Sequence, residues 1–114
     1  MQNKTIIDYG CGSGILALAT DALGADCIYA TDHDTQAIEA TNNNLKLNQQ
    51  QSEAFTVCLA KNFPNVMADI VIANILANPL LELAELLAKL TKQGGQIILS
   101  GILEIGRASC RERV

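Results

Sequence analysis

At 114 residues, 49% of them apolar, the chain holds one small mixed α/β domain and no more. A net charge of -4 excludes a broad basic face for nucleic acid or anionic membrane. No apolar run is long enough to span a bilayer and no basic-then-apolar leader opens the chain, so a cytoplasmic protein is expected, with no direct nucleic-acid or membrane partner.

"KTIIDY" (Lys4 to Tyr9) predicts a short first strand that runs directly into "GCGSG". From Ser13, the spacing of Ile15, Leu16, Leu18, Ala19, Ala22 and Leu23 predicts a helix with those residues on its buried face, stopped at Gly24. "CIYAT" (Cys27 to Thr31) is the second strand. Asp34 or Thr35 then caps a helix carrying Ile38, Thr41 and Leu45 on one face, although Asn42–Asn44 is poor helix material. "AFTVCL" predicts a third strand, and "ADIVIAN" (Ala68 to Asn74), almost continuously apolar, a fourth buried on both faces. Asn78 and Pro79 suit the start of a third helix with a stripe of Leu80, Leu83, Leu87 and Leu90. Lys89 and Lys92 suit its last turn, Gly94–Gly95 its end, and "QIILSGIL" the fifth strand. The order β-α-β-α-β-β-α-β predicts a doubly wound, Rossmann-like, mainly parallel sheet.

In such a sheet, ligands bind beyond the C-terminal strand ends, where strand order reverses. Gly10, Gly12 and Gly14 fall at the first strand-to-helix turn, where glycine admits unusual backbone conformations and lets a ligand touch the main chain. The spacing is not the dinucleotide fingerprint, which needs a small residue where Ile15 stands, nor a phosphate loop, whose lysine Ile15 also displaces. After Lys4 no cation lies near the loop to meet a phosphate chain. Asp32, 22 residues beyond Gly10 and at the end of the second strand, suits two adjacent ribose hydroxyls, with Asp34 left to cap the helix. His33 reads as an exposed turn residue. An adenosine cofactor without a phosphate chain, and with a cationic sulfonium, is S-adenosylmethionine (AdoMet). Asp8 is placed either to hold that cofactor's ammonium or to bond loop amides.

Four cysteines (Cys11, Cys27, Cys58, Cys110) and a single histidine give no metal-ligand spacing, so reduced thiols and no metal are expected. All three arginines (Arg107, Arg111, Arg113) lie in the last eight residues, whereas residues 1–103 carry five lysines, ten acids and no arginine. That shift fits either a basic tail or foreign sequence outside the fold, and residues 104–114 are expected to be the latter.

"IIDYGCGSGILALA", "TDHDTQAI", "DIVIANILANPLLELA" and "GGQIILSGIL" together resemble the methyltransferase domain of the ribosomal protein L-eleven methyltransferase family, over about Lys4 to Leu103. The resemblance implies a class I methyltransferase core, AdoMet as cofactor, and methylation of lysine amino groups on that ribosomal protein. Carried over by position, it puts Gly10 on the cofactor, Asp32 on its ribose, and Asn74 at the meeting point of cofactor and substrate as the catalytic residue. Residues 1–103 are then expected to be a core truncated at both ends. It would lack the family's substrate-recognition domain and last strands, with a sheet edge and part of an apolar face uncovered. Alternatives are a class I methyltransferase for another amine, RNA or a small molecule; an NAD-type oxidoreductase fragment using Asp32; and a fragment with no catalytic role.

Overall fold

The computed structural model describes residues 3–48, 52–74 and 80–100. Five strands, β1 (Thr5–Tyr9), β2 (Cys27–Asp32), β3 (Phe55–Leu59), β4 (Ala68–Asn74) and β5 (Thr91–Ser100), form one sheet in the order β3-β2-β1-β4-β5. Every pairing in it is parallel. Helices α1 (Ile15–Ala22), α2 (Thr35–Leu47) and α3 (Leu80–Leu90) supply the crossovers. The chain winds outward from β1 through β2 to β3, then returns to the other side of β1 for β4 and β5. The reversal point is therefore the C-terminal end of β1 beside β4, where the glycine loop begins.

Successive residues of a strand face opposite ways, and β1 shows it: Ile6 belongs to one core cluster and Ile7 to the other, both fully buried. The first cluster joins Ile28, Ala30, Phe55 and Ile72 to Ala17 of α1 and Leu45 of α2. The second joins Val71 and Ala73 to Leu83, Leu87 and Leu90 of α3. The sheet is thus a doubly wound layer with α1 and α2 on one face and α3 on the other. No helix among the described residues is long and apolar enough to cross a membrane.

Two elements depart from the sequence pattern. In α1 the buried residues are Ala17 and Thr20, while Ile15, Leu16 and Leu23 stand 66%, 44% and 61% exposed. A helix apolar on nearly every side offers two candidate core faces, and the small-residue face is the one that approaches the sheet. The second departure is the end of α3. The helix stops at Leu90, where the leucine stripe ends and Thr91 Oγ1 donates to Leu87 O at 2.6 Å. Gly94–Gly95, expected to end α3, lies instead inside β5, at the irregularity where Thr91 pairs with Ala68 but Gln96 already pairs with Ile70. A Cβ on Gly95 would sit 2.7 Å from Asp69 O and 2.9 Å from Lys92 O, backbone atoms with nowhere to go. Gly95→Ala is expected to lower stability by about 1–3 kcal/mol, as overpacking does, measured by urea denaturation.

α2 runs without a break through Asn42–Asn44 because tertiary bonds offset its weak propensity. Asp34 is its N-cap, accepting from Gln36 N at 2.9 Å, and Thr41 and Leu45 form its buried face with Ile38 packed beside them. β5 is the last strand of the described sheet, and Ile97 and Ile98 on it are 43% and 42% exposed. Asn78, Pro79, Cys110 and the arginine-bearing segment 104–114 lie outside the described residues, as do the last three residues of "QIILSGIL". Cys11, Cys27 and Cys58 carry free thiols.

Candidate functional site

The glycine loop leaves β1 at the sheet's reversal point, and its first two amides, Gly10 N and Cys11 N, both donate to Thr31 O of β2, at 2.8 and 2.9 Å. Gly10, Gly12 and Gly14 all have positive φ, at 85°, 56° and 84°. Two of them need glycine for different reasons. A Cβ on Gly12 would meet nothing within 4 Å, so its side is open to a ligand. A Cβ on Gly14 would lie 2.8 Å from Thr41 Cγ2, so its side is pressed against α2. Gly14 also serves as the N-cap position of α1 without a side chain to cap with.

Asp8 takes over part of that capping. It points to the α1 face of the sheet, 2% exposed, where the Ala17 backbone N–H of the first turn bonds its carboxylate. Its second oxygen, Oδ2, has no hydrogen-bond partner. Burial pushes the carboxyl up to about 6, Asp32 nearby pushes the same way, and the Ala17 N–H opposes both. Asp8 thus has a helix amide within reach and one buried acceptor left over.

Asp32 ends β2 facing the loop. Its Oδ2 accepts from Gly12 N at 3.1 Å and its Oδ1 from Asp34 N at 3.0 Å. Asp34 does cap α2, but Asp32 is not thereby freed: each of its oxygens already holds one backbone N–H. A carboxylate has about four acceptor sites, so one lone pair on each oxygen remains for a diol. Beside it, His33 is exposed and shares a 3.2 Å hydrogen bond through Nε2 with Tyr9 Oη, the rings meeting edge-on at 5.8 Å. Burial and then Asp32 raise the Tyr9 phenol above its ordinary value, so it stays protonated. A cavity of about 200 Å³ opens past the ends of β2 and β3, lined by His33, Thr35, Leu59, Ala60 and Lys61.

Asn74 closes β4 next to the same end of β1, one residue after the Tyr9–Ala73 register pair, and itself pairs with Ser100. All six residues singled out from the sequence (Asp8, Gly10, Gly12, Gly14, Asp32, Asn74) therefore fall at one end of three adjacent strands. Sequence reasoning missed the second ring around them: the Tyr9–His33 pair, and two α2 side chains that reach the loop. Thr41 Oγ1 donates to Gly12 O at 3.0 Å and Asn44 Nδ2 to Ser13 O at 2.7 Å. Helical spacing marks Thr41 as core and nothing marks its partner 29 residues away.

A family model described as "Ribosomal protein L11 methyltransferase (PrmA)" matches residues 1–114. The chain belongs to the ribosomal protein L11 methyltransferase family. The relative of that name from Teredinibacter turnerae is 51% identical over 104 residues, 91% of this chain and 35% of the relative. The chain thus spans about a third of the length of the curated relatives it matches. Among solved structures, the ribosomal protein L11 methylase from Lactobacillus delbrueckii subsp. bulgaricus is 32% identical with a TM-score of 0.73, over 89% of this chain and 53% of that one. The Trypanosoma brucei PRMT1 enzyme–prozyme complex with AdoHcy is 26% identical with a TM-score of 0.55, over 64% of this chain and 23% of its own. The L11 methyltransferase family and the class I methyltransferase fold account for the strand order and for the glycine loop at its reversal point.

Proposed function

We propose that this chain is the cofactor-binding core of an AdoMet-dependent methyltransferase that modifies amino groups, those of lysines on the ribosomal protein for which the family is named. The carrying observation is the unpaired Oδ2 of Asp8, a buried acceptor at the reversal point beside a second acid, Asp32, and with no cation among the described residues that offsets its charge. Two carboxylates in such a place favour a ligand that brings positive charge and N–H donors. AdoMet does, with an ammonium and a sulfonium. A di- or triphosphate would meet repulsion from both acids, which disfavours the NAD-type alternative.

The residues divide the work by position. Asp8 accepts from the ammonium, Gly10 and Gly12 let the ligand lie on the main chain, and Asp32 offers its remaining lone pairs to the ribose hydroxyls. The cavity beside His33 and Leu59 takes the base. When bound, the cofactor supplies a methyl group already activated by its sulfonium. Asn74, at the end of β4, accepts a hydrogen bond from the incoming nitrogen and aims its lone pair. The lysine reacts as its free amine, having given its ammonium proton to solvent before transfer, so alignment rather than a dedicated base carries the acceleration.

Titration of AdoMet into the purified chain, with NAD as comparator, tests the reading. Asp32→Asn, which keeps one acceptor oxygen, should weaken AdoMet by about 1.5–3 kcal/mol, the range for hydrogen bonds to a charged group. A folded chain that binds NAD and not AdoMet would sink the proposal.

A further inference from the structure

The glycine loop is held from behind by two side chains of α2. Thr41, fully buried in the middle of α2, has one hydroxyl hydrogen and gives it to Gly12 O. Its oxygen also lies 3.3 Å from Cys11 Sγ, and with that hydrogen already committed, the thiol must be the donor. A chain of bonds therefore runs from Cys11 through Thr41 to Gly12, and burial keeps its first member protonated, with the Cys11 thiol pushed up to about 11. Asn44, three residues further and so on the same helix face, holds Ser13 O. Two consecutive loop carbonyls are thereby drawn toward α2. Because a trans peptide is planar, with C=O and the next N–H opposed, fixing Gly12 O toward α2 turns the Ser13 N–H away from it. The Gly12 N–H, on the peptide before, is fixed by Asp32.

We infer that Thr41 and Asn44 are positioning residues for cofactor binding, acting through the Gly12 and Ser13 carbonyls to hold the loop in its ligand-ready shape. The inference rests on the cofactor reading above and extends it to residues that act through the loop backbone.

The test is calorimetric titration of AdoMet into the full chain, at a temperature where circular dichroism shows each variant folded. Thr41→Val keeps the shape and loses the hydroxyl, and should bind roughly tenfold more weakly, the equivalent of one such hydrogen bond. Thr41→Ser restores the hydroxyl and should return affinity to within about twofold of wild type. Thr91→Val removes a comparable threonine bond at the far end of the sheet. It should lower the melting temperature without changing affinity, which separates positioning from stability. If Thr41→Val does not fold, Asn44→Ala serves in its place, being half-buried and nearer the surface. Wild-type affinity in Thr41→Val or its substitute, or equal weakening in Thr91→Val, overturns the inference while leaving the cofactor reading intact. A wild-type chain that binds no AdoMet overturns both.

Discussion

Asp8→Asn is expected to stabilise the cofactor-free chain at pH 8 while weakening its hold on AdoMet. Asp8 is 2% exposed and its Oδ2 is unpartnered, so its ionised form is disfavoured in the folded state. A carboxyl moved from 3.8 to about 6 corresponds to roughly 3 kcal/mol of destabilisation once fully ionised. Asparagine removes the charge and its oxygen still accepts from Ala17, but its amide becomes a buried donor without a partner, at a cost of about 1–3 kcal/mol. The net gain is the difference, about 0–2 kcal/mol, read as a melting temperature up to several degrees higher. With AdoMet the sign reverses. The ammonium loses a charged acceptor, and affinity should fall by about 1.5–3 kcal/mol.

The pH dependence follows with the same sign. A carboxyl whose folded pKa lies above its unfolded value favours folding when protonated, so its advantage is complete below 3.8 and is lost as pH rises through about 6. Urea denaturation of the cofactor-free chain should show wild type losing stability relative to Asp8→Asn between pH 4 and pH 7. Binding runs the other way, because the cationic ligand takes the ionised carboxylate. Wild-type affinity should drop below pH 6, by up to about tenfold per pH unit, and that drop should be absent in Asp8→Asn. An Asp8→Asn chain less stable than wild type at pH 8 would show that the unpartnered amide costs more than the buried charge.

What the sequence makes legible is what depends on short range. "ADIVIAN" reads as a buried strand because both its faces are covered, and the structure gives Ala68–Asn74 as β4 without a shift. Asp34 reads as a cap because the N–H it bonds is two residues away. Legibility fails where one signal has two physical uses. Gly94–Gly95 looks like a helix stop, and the same absence of side chains lets β5 press against Asp69 O. In α1, Ile15, Leu16 and Leu23 look like core because they are large and apolar, whereas Ala17 and Thr20 are chosen for their small size. At the site, the positions of Asp8 and Asp32 follow from strand ends, but their partners do not. That Asp32 already holds Gly12 N, and that Thr41 and Asn44 hold the next two carbonyls, are facts of chain crossings 20 to 31 residues apart.

Those crossings make Gly14→Ala more damaging to stability than Gly12→Ala. Alanine at φ 84° costs about 1–2 kcal/mol for the left-handed backbone alone. Its Cβ would then lie 2.8 Å from Thr41 Cγ2 and 3.1 Å from Oγ1, and Thr41 cannot yield: it is fully buried and its hydroxyl is tied to Gly12 O. Overpacking of this kind adds about 1–3 kcal/mol. A total of about 2–5 kcal/mol is a large part of the 5–15 kcal/mol a domain commonly has, so the melting temperature should fall by ten degrees or more. Gly14→Ala combined with Thr41→Ser, which deletes Cγ2 and keeps the hydroxyl, should recover about 1 kcal/mol or more in denaturation, a coupling larger than independent sites show. No recovery would assign the whole defect to backbone strain. Gly12→Ala is the contrasting case. With nothing within 4 Å of the added methyl, it carries the strain without the collision, and its Cβ stands on the open side of the loop. Its defect should therefore appear chiefly in AdoMet affinity, whereas that of Gly14→Ala appears first in stability.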